Sequence, residues 1–110
     1  MGSIYIMYMI KCSDENVKDC YVGFTQDFKG RKHTHKKRCI DETGKRYNNR
    51  LYRYIRGNGG WSNFEMKSIE AFICHTKLEA IRREYQLQCE YQSQLNLEMW
   101  DLNWQDMLLS

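Results

Sequence analysis

The chain has 110 residues, a length that suits one domain with a modest core and leaves no room for a second independent module. Apolar residues make up 42% of it and aromatic residues 14%, which indicates a folded globule rather than a disordered tail. The net charge of +3 does not identify a partner, and the longest apolar run, residues 4 to 10, is too short to span a membrane.

Two strands joined by a polar loop are predicted at the start of the chain. Ile4 to Cys12 consists mainly of β-branched, aromatic and long apolar residues, and Cys20 to Phe24 resumes this character. The stretch between them contains Asp14 and Asn16, which favour turns. The pattern predicts a β-hairpin with a loop longer than a tight turn.

Two helices are predicted next. Asp27 is a good N-cap for a basic helix that runs to about Arg38. A polar connection, residues 40 to 45, leads to a second helix, which the glycine-rich run 57 to 60 ends. The apolar residues of this second helix recur at helical spacing and are Leu51, Tyr54 and Ile55.

A third strand and a third helix are predicted in the second half of the chain. Residues 64 to 72 alternate only partly, but the helix signals on either side favour a strand. Thr76 and Glu79 have the spacing of a capping box, so a helix should begin there. Its expected apolar stripe is Leu78, Ile81, Tyr85 and Cys89, with Ala80, Glu84 and Leu87 at the edge.

The element order β-β-α-α-β-α implies an α+β fold, an α/β sandwich in which a three-stranded antiparallel sheet is flanked by helices. We expect residues 1–96 to form this domain. Residues 97–110 are rich in Leu, Met and Trp, and we expect them to form a tail that packs on the domain as a short helix.

Positive charge is concentrated in one part of the chain. Residues 29 to 56 carry eleven basic and two acidic side chains, a net charge of +9, and the remainder carries six basic and twelve acidic ones, a net charge of −6. Such a block suits a polyanion, because neutralised phosphates release counterions, although a solvated pair of charged helices is the alternative. The side chains expected to contact such a polyanion are Lys29, Lys32, Lys36, Lys37, Arg46, Arg50 and Arg53.

The five cysteines form no CxxC pair, and no secretory signal is recognisable. We therefore expect reduced thiols in an intracellular protein, in the cytoplasm or nucleus, without membrane association. The residues do not indicate an oligomeric state.

Arg31 and His35 are spaced one helical turn apart, so they should project from the same helix face. A phosphate on that face would contact a planar cation and a titratable ring together. Two surface charges on a basic helix would show the same spacing, so this pair alone does not decide the function.

The chain resembles the GIY-YIG nucleases, which are named for two short tripeptides on adjacent strands. Tyr21-Val22-Gly23 is a common variant of the second tripeptide, and Ile6-Met7-Tyr8 keeps the tyrosine of the first. The resemblance covers about residues 4 to 96 and extends to small stand-alone members found in large DNA viruses. Four further residues agree with the family in order, type and spacing, and they are Arg31, His35, Glu84 and Asn96.

This resemblance implies a metal-dependent DNA endonuclease that leaves 5′-phosphate and 3′-hydroxyl ends. Roles in DNA repair, recombination and mobile elements all occur in relatives, and the sequence does not indicate which of them applies. The resemblance also implies that Glu84 holds one Mg²⁺ or Mn²⁺ ion and that Arg31 balances charge on the phosphorus. Tyr8 or Tyr21, with pKa values lowered by nearby cations, would orient or deprotonate the water, with His35 as helper or alternative base. The substrate it implies is double-stranded or branched DNA, and Asn96 completes the implied catalytic set.

Two positions depart from the family pattern. The missing glycine of the first tripeptide leaves Tyr5 as a rival for the role of Tyr8, and Phe24 stands where some relatives have a polar or basic group. A nucleic-acid-binding module that keeps the fold without cleavage is therefore the alternative function. A protein-interaction domain that uses Trp100 and Trp104 is a third.

Overall fold

A three-stranded antiparallel sheet forms the centre of the fold. Its strands are β1 (Ser3–Cys12), β2 (Cys20–Thr25) and β3 (Phe64–Cys74), in the spatial order β2-β1-β3. β1 is thus the central strand and β2 an edge strand. The structure, a computed structural model, describes residues 2 to 96, so the predicted tail over 97–110 lies outside the described residues.

Three helices flank the sheet, and the element order confirms the predicted α+β fold. They are α1 (Phe28–Ile40), α2 (Arg50–Gly57) and α3 (Lys77–Tyr91). Two single 3₁₀ turns, Trp61–Asn63 and Gln94–Asn96, precede β3 and follow α3. Within residues 2 to 96, no helix has the length and apolar character needed to cross a bilayer.

Both predicted helix starts are confirmed by side-chain caps. The Asp27 carboxylate accepts a hydrogen bond of 3.0 Å from the Gly30 N–H at the start of α1. The Thr76 hydroxyl accepts from the Glu79 N–H, and the Glu79 carboxylate accepts from the His75 N–H. These bonds satisfy amide donors that lack a partner in the first helical turn.

The side chains of β1 alternate between two buried clusters, one on each face of the sheet. Tyr8 faces the cluster formed with α1 and α2, whereas Met7 faces the cluster formed with α3. The larger cluster contains Tyr8, Ile10, Cys12, Cys39, Leu51, Tyr52, Ile55, Phe64, Met66 and Leu95. The smaller cluster contains Met7, Val22, Cys74, Ala80 and Leu87.

The buried face of α3 is the opposite of the predicted one. Ala80 and Leu87 are buried, whereas Leu78 is 54% exposed and Ile81 and Tyr85 are also exposed. The prediction was wrong because α3 packs mainly along the edge strand β2 and buries only a narrow seam. Three-residue spacing identifies a stripe but not the face that meets the sheet.

Leu87→Ala is expected to lower the free energy of unfolding by about 2–4 kcal/mol, because it removes apolar volume from a packed seam. The matched substitution Leu78→Ala on the same helix should change it by less than about 0.5 kcal/mol. Urea denaturation followed by circular dichroism measures both. Equal losses for the two variants would contradict this packing of α3.

Candidate active site

Two tyrosines from adjacent strands lie together on the α1 side of the sheet. Tyr8 pairs with Gly23 across the β1–β2 ladder, and Tyr21 pairs with Ile10. The Tyr8 and Tyr21 ring centroids are 6.3 Å apart. Tyr8 is fully buried and Tyr21 is half-buried.

Gly23 leaves the space that the Tyr8 phenol occupies. A Cβ atom at position 23 would lie 2.6 Å from the Tyr8 Oη and 2.7 Å from its Cζ. Any larger residue would push the Tyr8 ring out of place. The glycine of the second tripeptide therefore positions the tyrosine of the first.

His35 on α1 lies beneath these phenols and is buried. Its Nε2 is 2.7 Å from the Tyr8 Oη, and its Nδ1 is 2.8 Å from the Tyr52 Oη on α2. The Trp61 ring stacks against the imidazole, with centroids 6.5 Å apart and planes inclined by 17°. The prediction that a phosphate would contact both Arg31 and His35 is wrong for His35, because its ring is buried and both nitrogens are hydrogen-bonded.

Glu84 on α3 reaches β2 from the other side of the sheet. Gln88 Nε2 donates to its Oε1 at 3.2 Å, and the Phe24 backbone N–H also hydrogen-bonds the carboxylate. Burial raises the pKa of Glu84 to about 7, against the opposing charge of Arg31 and these hydrogen bonds. The carboxyl therefore changes its protonation state near neutral pH.

Arg31 is an exposed residue of α1 whose positive charge acts on four titratable groups of the site. It lowers the pKa of Glu84, of Tyr8 and of Tyr21, and it also lowers the pKa of His35. Such effects require short separations across a poorly solvated region. The structure thus brings together five of the six predicted site residues, from β1, β2, α1 and α3.

The phenol pKa values are raised overall, so the expectation that nearby cations leave them lowered is wrong, although Arg31 does oppose the rise. Burial, then the Glu84 carboxylate, raise the pKa of Tyr21 to about 12 despite Arg31. Burial raises the pKa of Tyr8 still further. The pKa of His35 falls to about 3, because burial and the charges of Arg38 and Arg31 disfavour the imidazolium. At neutral pH both phenols are protonated and His35 is neutral.

Asn96, the sixth predicted residue, lies behind the site. Its Oδ1 accepts from the Val22 N–H and its Nδ2 donates to the Val22 carbonyl, both at 2.9 Å. The side chain is buried, and these two bonds engage both ends of its amide. Asn96 therefore holds the outer edge of β2, the strand that carries Tyr21.

Tyr5 and Phe24 lie on the opposite face of the sheet from Tyr8. Their rings pack at a centroid distance of 5.7 Å, against the cluster that contains Met7. Because His35 and Tyr21 are on the other face, Tyr5 cannot take the place of Tyr8. The Phe24 side chain is likewise directed away from the phenols, and only its backbone N–H contributes to the site.

Sequence reasoning missed Tyr52, Arg38 and Trp61. The predicted stripe of α2 contained Tyr54, but Tyr52 is the buried tyrosine and Tyr54 is only half-buried. Tyr52 is three residues before Ile55, which is also a helical spacing, so the sequence pattern was compatible with burial of either Tyr52 or Tyr54. Arg38 belongs to the basic block, where its hydrogen bond to Tyr52 had no sequence signature.

The seven expected DNA contacts lie on α1, on the connection to α2, and on α2. Six of them are exposed, and Arg50 is half-buried. An open depression between the end of α1 and the following turn is also basic, and Lys37, Arg38, Lys45 and Arg46 contribute to its lining. The exposed basic side chains thus concentrate positive charge on α1, on α2 and on the connection between them.

Glu84 is the residue of the site that fits a divalent cation. Among residues 2 to 96, no group of three or more His, Cys, Asp or Glu side chains could hold a metal ion. The Glu84 carboxylate accepts two hydrogen bonds and retains further lone pairs. A single hard oxygen ligand suits Mg²⁺ or Mn²⁺, which keep most of their waters.

A half-buried phenol, an arginine and one carboxylate lie beside a basic helix pair, a combination that suits the chemistry of a phosphate ester. In agreement, a family model described as the GIY-YIG catalytic domain matches residues 4–96. The chain belongs to this family, whose nucleases act on DNA and generally depend on a divalent metal. Comparisons with curated proteins and with solved structures find no significant match.

Glu84→Gln is expected to raise the thermal midpoint of the metal-free protein at pH 8 by on the order of 5 °C. Folding raises the pKa of this carboxyl from 4.5 to about 7, because burial favours its protonated form. The protonated carboxyl therefore stabilises the fold relative to the ionised one. This contribution is complete below pH 4.5 and is lost as pH rises through 7. Glutamine is neutral at every pH, whereas Glu84 is itself protonated at pH 4, so the difference in thermal midpoint between the variant and the parent should vanish at pH 4.

Circular dichroism melts in EDTA measure this difference. Glu90→Gln removes an exposed carboxylate from the same helix and should leave the midpoint nearly unchanged at both pH values. A Glu84→Gln protein that melts below the parent at pH 8 would contradict the burial of this carboxyl.

Proposed function

We propose that this chain is a DNA endonuclease that hydrolyses phosphodiester bonds to 5′-phosphate and 3′-hydroxyl ends, using one Mg²⁺ or Mn²⁺ ion held by Glu84. The observation that carries the proposal is the convergence of Glu84, Arg31 and Tyr21 from three separate elements. Membership of a nuclease family supports it. A role in DNA repair or recombination and a viral origin stay predictions.

Each of these groups has a distinct task in the proposal. Bound at Glu84, the cation supplies Lewis-acid stabilisation of the departing 3′ oxygen. The exposed guanidinium of Arg31 contacts the phosphate and balances the charge that builds on its oxygens. The Glu84 carboxyl must be ionised to act as a ligand, so protons compete with the cation for it and more metal is needed for activity as pH falls.

Of the three candidate bases, Tyr21 has the most suitable position. Tyr8 and His35 are both buried and hydrogen-bonded to each other, whereas Tyr21 is half-buried and has the less strongly raised phenol pKa. We propose that the Tyr21 oxygen orients the attacking water and, when ionised, accepts its proton. Tyr8 and His35 then support Tyr21 from behind, and Asn96 holds its strand.

The main alternative, a binding module without cleavage, rests on the degenerate first tripeptide. Ile6 and Met7 do not disturb the site, because Met7 is directed to the other face of the sheet and Tyr8 remains hydrogen-bonded to His35. Gly23 still leaves room for the Tyr8 ring. The geometry therefore favours a nuclease over the binding module.

The DNA surface of the proposal is the exposed basic side of α1 and α2. Phosphate contacts of this kind do not depend on base sequence, and residues 2 to 96 include no separate base-reading helical module. We therefore propose low or short sequence specificity on double-stranded or branched DNA. Residues 1–96 form the proposed nuclease domain.

Arg31→Ala and Glu84→Gln are each expected to lower the rate of plasmid cleavage in Mg²⁺ by at least about 100-fold. The first removes the guanidinium that balances charge on the phosphate, and the second removes the carboxylate that holds the metal ion. Tyr21→Phe should lower the rate similarly and flatten its rise between pH 7.5 and pH 9.5, where a small phenolate fraction grows with pH. Timed agarose-gel assays measure these rates.

The matched controls are Arg82→Ala and Glu90→Gln, which remove an exposed charge of each sign from α3. Both should cleave at the rate of the parent. Unchanged cleavage by Arg31→Ala and Glu84→Gln would contradict the residue assignment. A parent protein that binds DNA but does not cleave it in Mg²⁺ or Mn²⁺ would support the binding module instead.

Replacing Lys29, Lys32 and Lys36 together by alanine is expected to weaken DNA binding and to reduce the slope of log affinity against log salt by about three, one for each lost phosphate contact. Fluorescence anisotropy with a labelled duplex at several salt concentrations measures the slope. Replacing Lys11, Lys18 and Lys77, exposed lysines outside the basic block, should leave it unchanged. Equal slopes for the two triple variants would exclude α1 as the DNA surface.

A further inference from the structure

A line of hydrogen bonds connects the basic surface of α1 with the buried phenol of the site. Arg38 Nη1 donates to the Tyr52 Oη at 3.3 Å, and this oxygen is 2.8 Å from the His35 Nδ1. On the other side of the ring, the His35 Nε2 is 2.7 Å from the Tyr8 Oη. Tyr52 is 3% exposed, so its hydroxyl must find its partners within the protein.

The partners of Tyr52 determine where the proton of His35 lies. A guanidinium donates but never accepts, so the Tyr52 hydroxyl proton cannot be directed to Arg38. Among residues 2 to 96, His35 Nδ1 is the hydrogen-bond acceptor in contact with this hydroxyl. Tyr52 must therefore donate to Nδ1, because a buried hydroxyl proton without an acceptor is costly. A neutral imidazole that accepts at Nδ1 carries its proton on Nε2.

The same direction continues through Tyr8. With its proton on Nε2, His35 donates to the Tyr8 oxygen, and the Tyr8 hydroxyl is then free to donate elsewhere. Tyr21 is the neighbouring phenol, with its ring centroid 6.3 Å from that of Tyr8. The three hydrogen bonds from Arg38 to Tyr52, from Tyr52 to His35 and from His35 to Tyr8 thus run in one direction, an arrangement in which each hydrogen bond strengthens the next.

We propose that Tyr52 and Arg38 are positioning residues of the active site, which hold His35 in the Nε2–H form and thereby direct the Tyr8 hydroxyl towards Tyr21. The effect on catalysis rests on the proposed nuclease function. The position of the His35 proton does not, so the two can fail separately. Without the Tyr52 hydroxyl, the His35 Nδ1 loses its hydrogen-bond donor. The imidazole can then carry its proton on Nδ1 and accept a hydrogen bond from the Tyr8 hydroxyl at Nε2.

The proton position can be measured in the intact protein by long-range ¹H–¹⁵N correlation of the histidine rings at neutral pH. His35→Gln identifies the His35 signals, and the exposed His33 and His75 serve as internal references. The expected result is an Nε2–H ring in the parent and a shift towards Nδ1–H in Tyr52→Phe. The matched control Tyr54→Phe, on the same helix, should give the parent spectrum.

An Nδ1–H ring in the parent would overturn the proposal, whether or not Tyr52→Phe folds. So would a Tyr52→Phe spectrum with the parent proton position. If the tautomer is as expected but the parent does not cleave DNA, the proposed function fails and the hydrogen-bond assignment stands.

Kinetics test the consequence for the reaction. Tyr52→Phe is expected to lower kcat about tenfold with KM unchanged, because one hydrogen bond to the interior of the site is lost and no charge is removed. Arg38→Met should lower kcat and also raise KM, since it removes a charge from the DNA surface. Arg38→Lys, which keeps a donor, should recover part of kcat. A Tyr52→Phe protein with the parent kcat would exclude a positioning role.

Discussion

The hydrogen bond between Tyr8 and His35 is the constraint on which the site depends. Both side chains are fully buried where β1 meets α1, so either of them without its partner would cost about 1–3 kcal/mol. This bond favours one rotation of α1 on the sheet, and Arg31, one turn before His35, is thereby held where its charge acts on both phenols. Gly23 makes this close approach possible, because a Cβ atom there would displace the Tyr8 ring.

The outer edge of β2 joins the two faces of the sheet into one site. An edge strand exposes backbone groups that need partners, and here Asn96 takes both groups of Val22 while Glu84 takes the N–H of Phe24. The same contacts that complete β2 thus bring a carboxylate from α3 to the side of Tyr21. The hydrogen bonds that satisfy the exposed backbone groups of β2 are therefore also the bonds that hold Asn96 and Glu84 beside it.

The order of elements and both N-caps followed from the sequence, because they depend on local spacing and local side-chain bonds. The predictions that were wrong concern which side chains are buried and how burial changes their pKa values. Leu78 and Ile81 form as good a stripe as the residues that α3 buries, and cations near Tyr21 were visible in the sequence whereas its desolvation was not. The choice between Tyr5 and Tyr8 was open because both faces of β1 are covered, so either tyrosine could pack inside.

The electrostatics of the site also bear on how a nuclease could work with a single carboxylate. Burial keeps Tyr8 and Tyr21 neutral, keeps His35 neutral and raises the pKa of Glu84 to about 7, so the site holds little fixed negative charge at neutral pH. Such a site attracts a cation weakly by itself but repels a phosphate little. A cation and a phosphate that neutralise each other would be more favourable there than either alone, so under the proposed function the metal and the substrate would each strengthen the binding of the other.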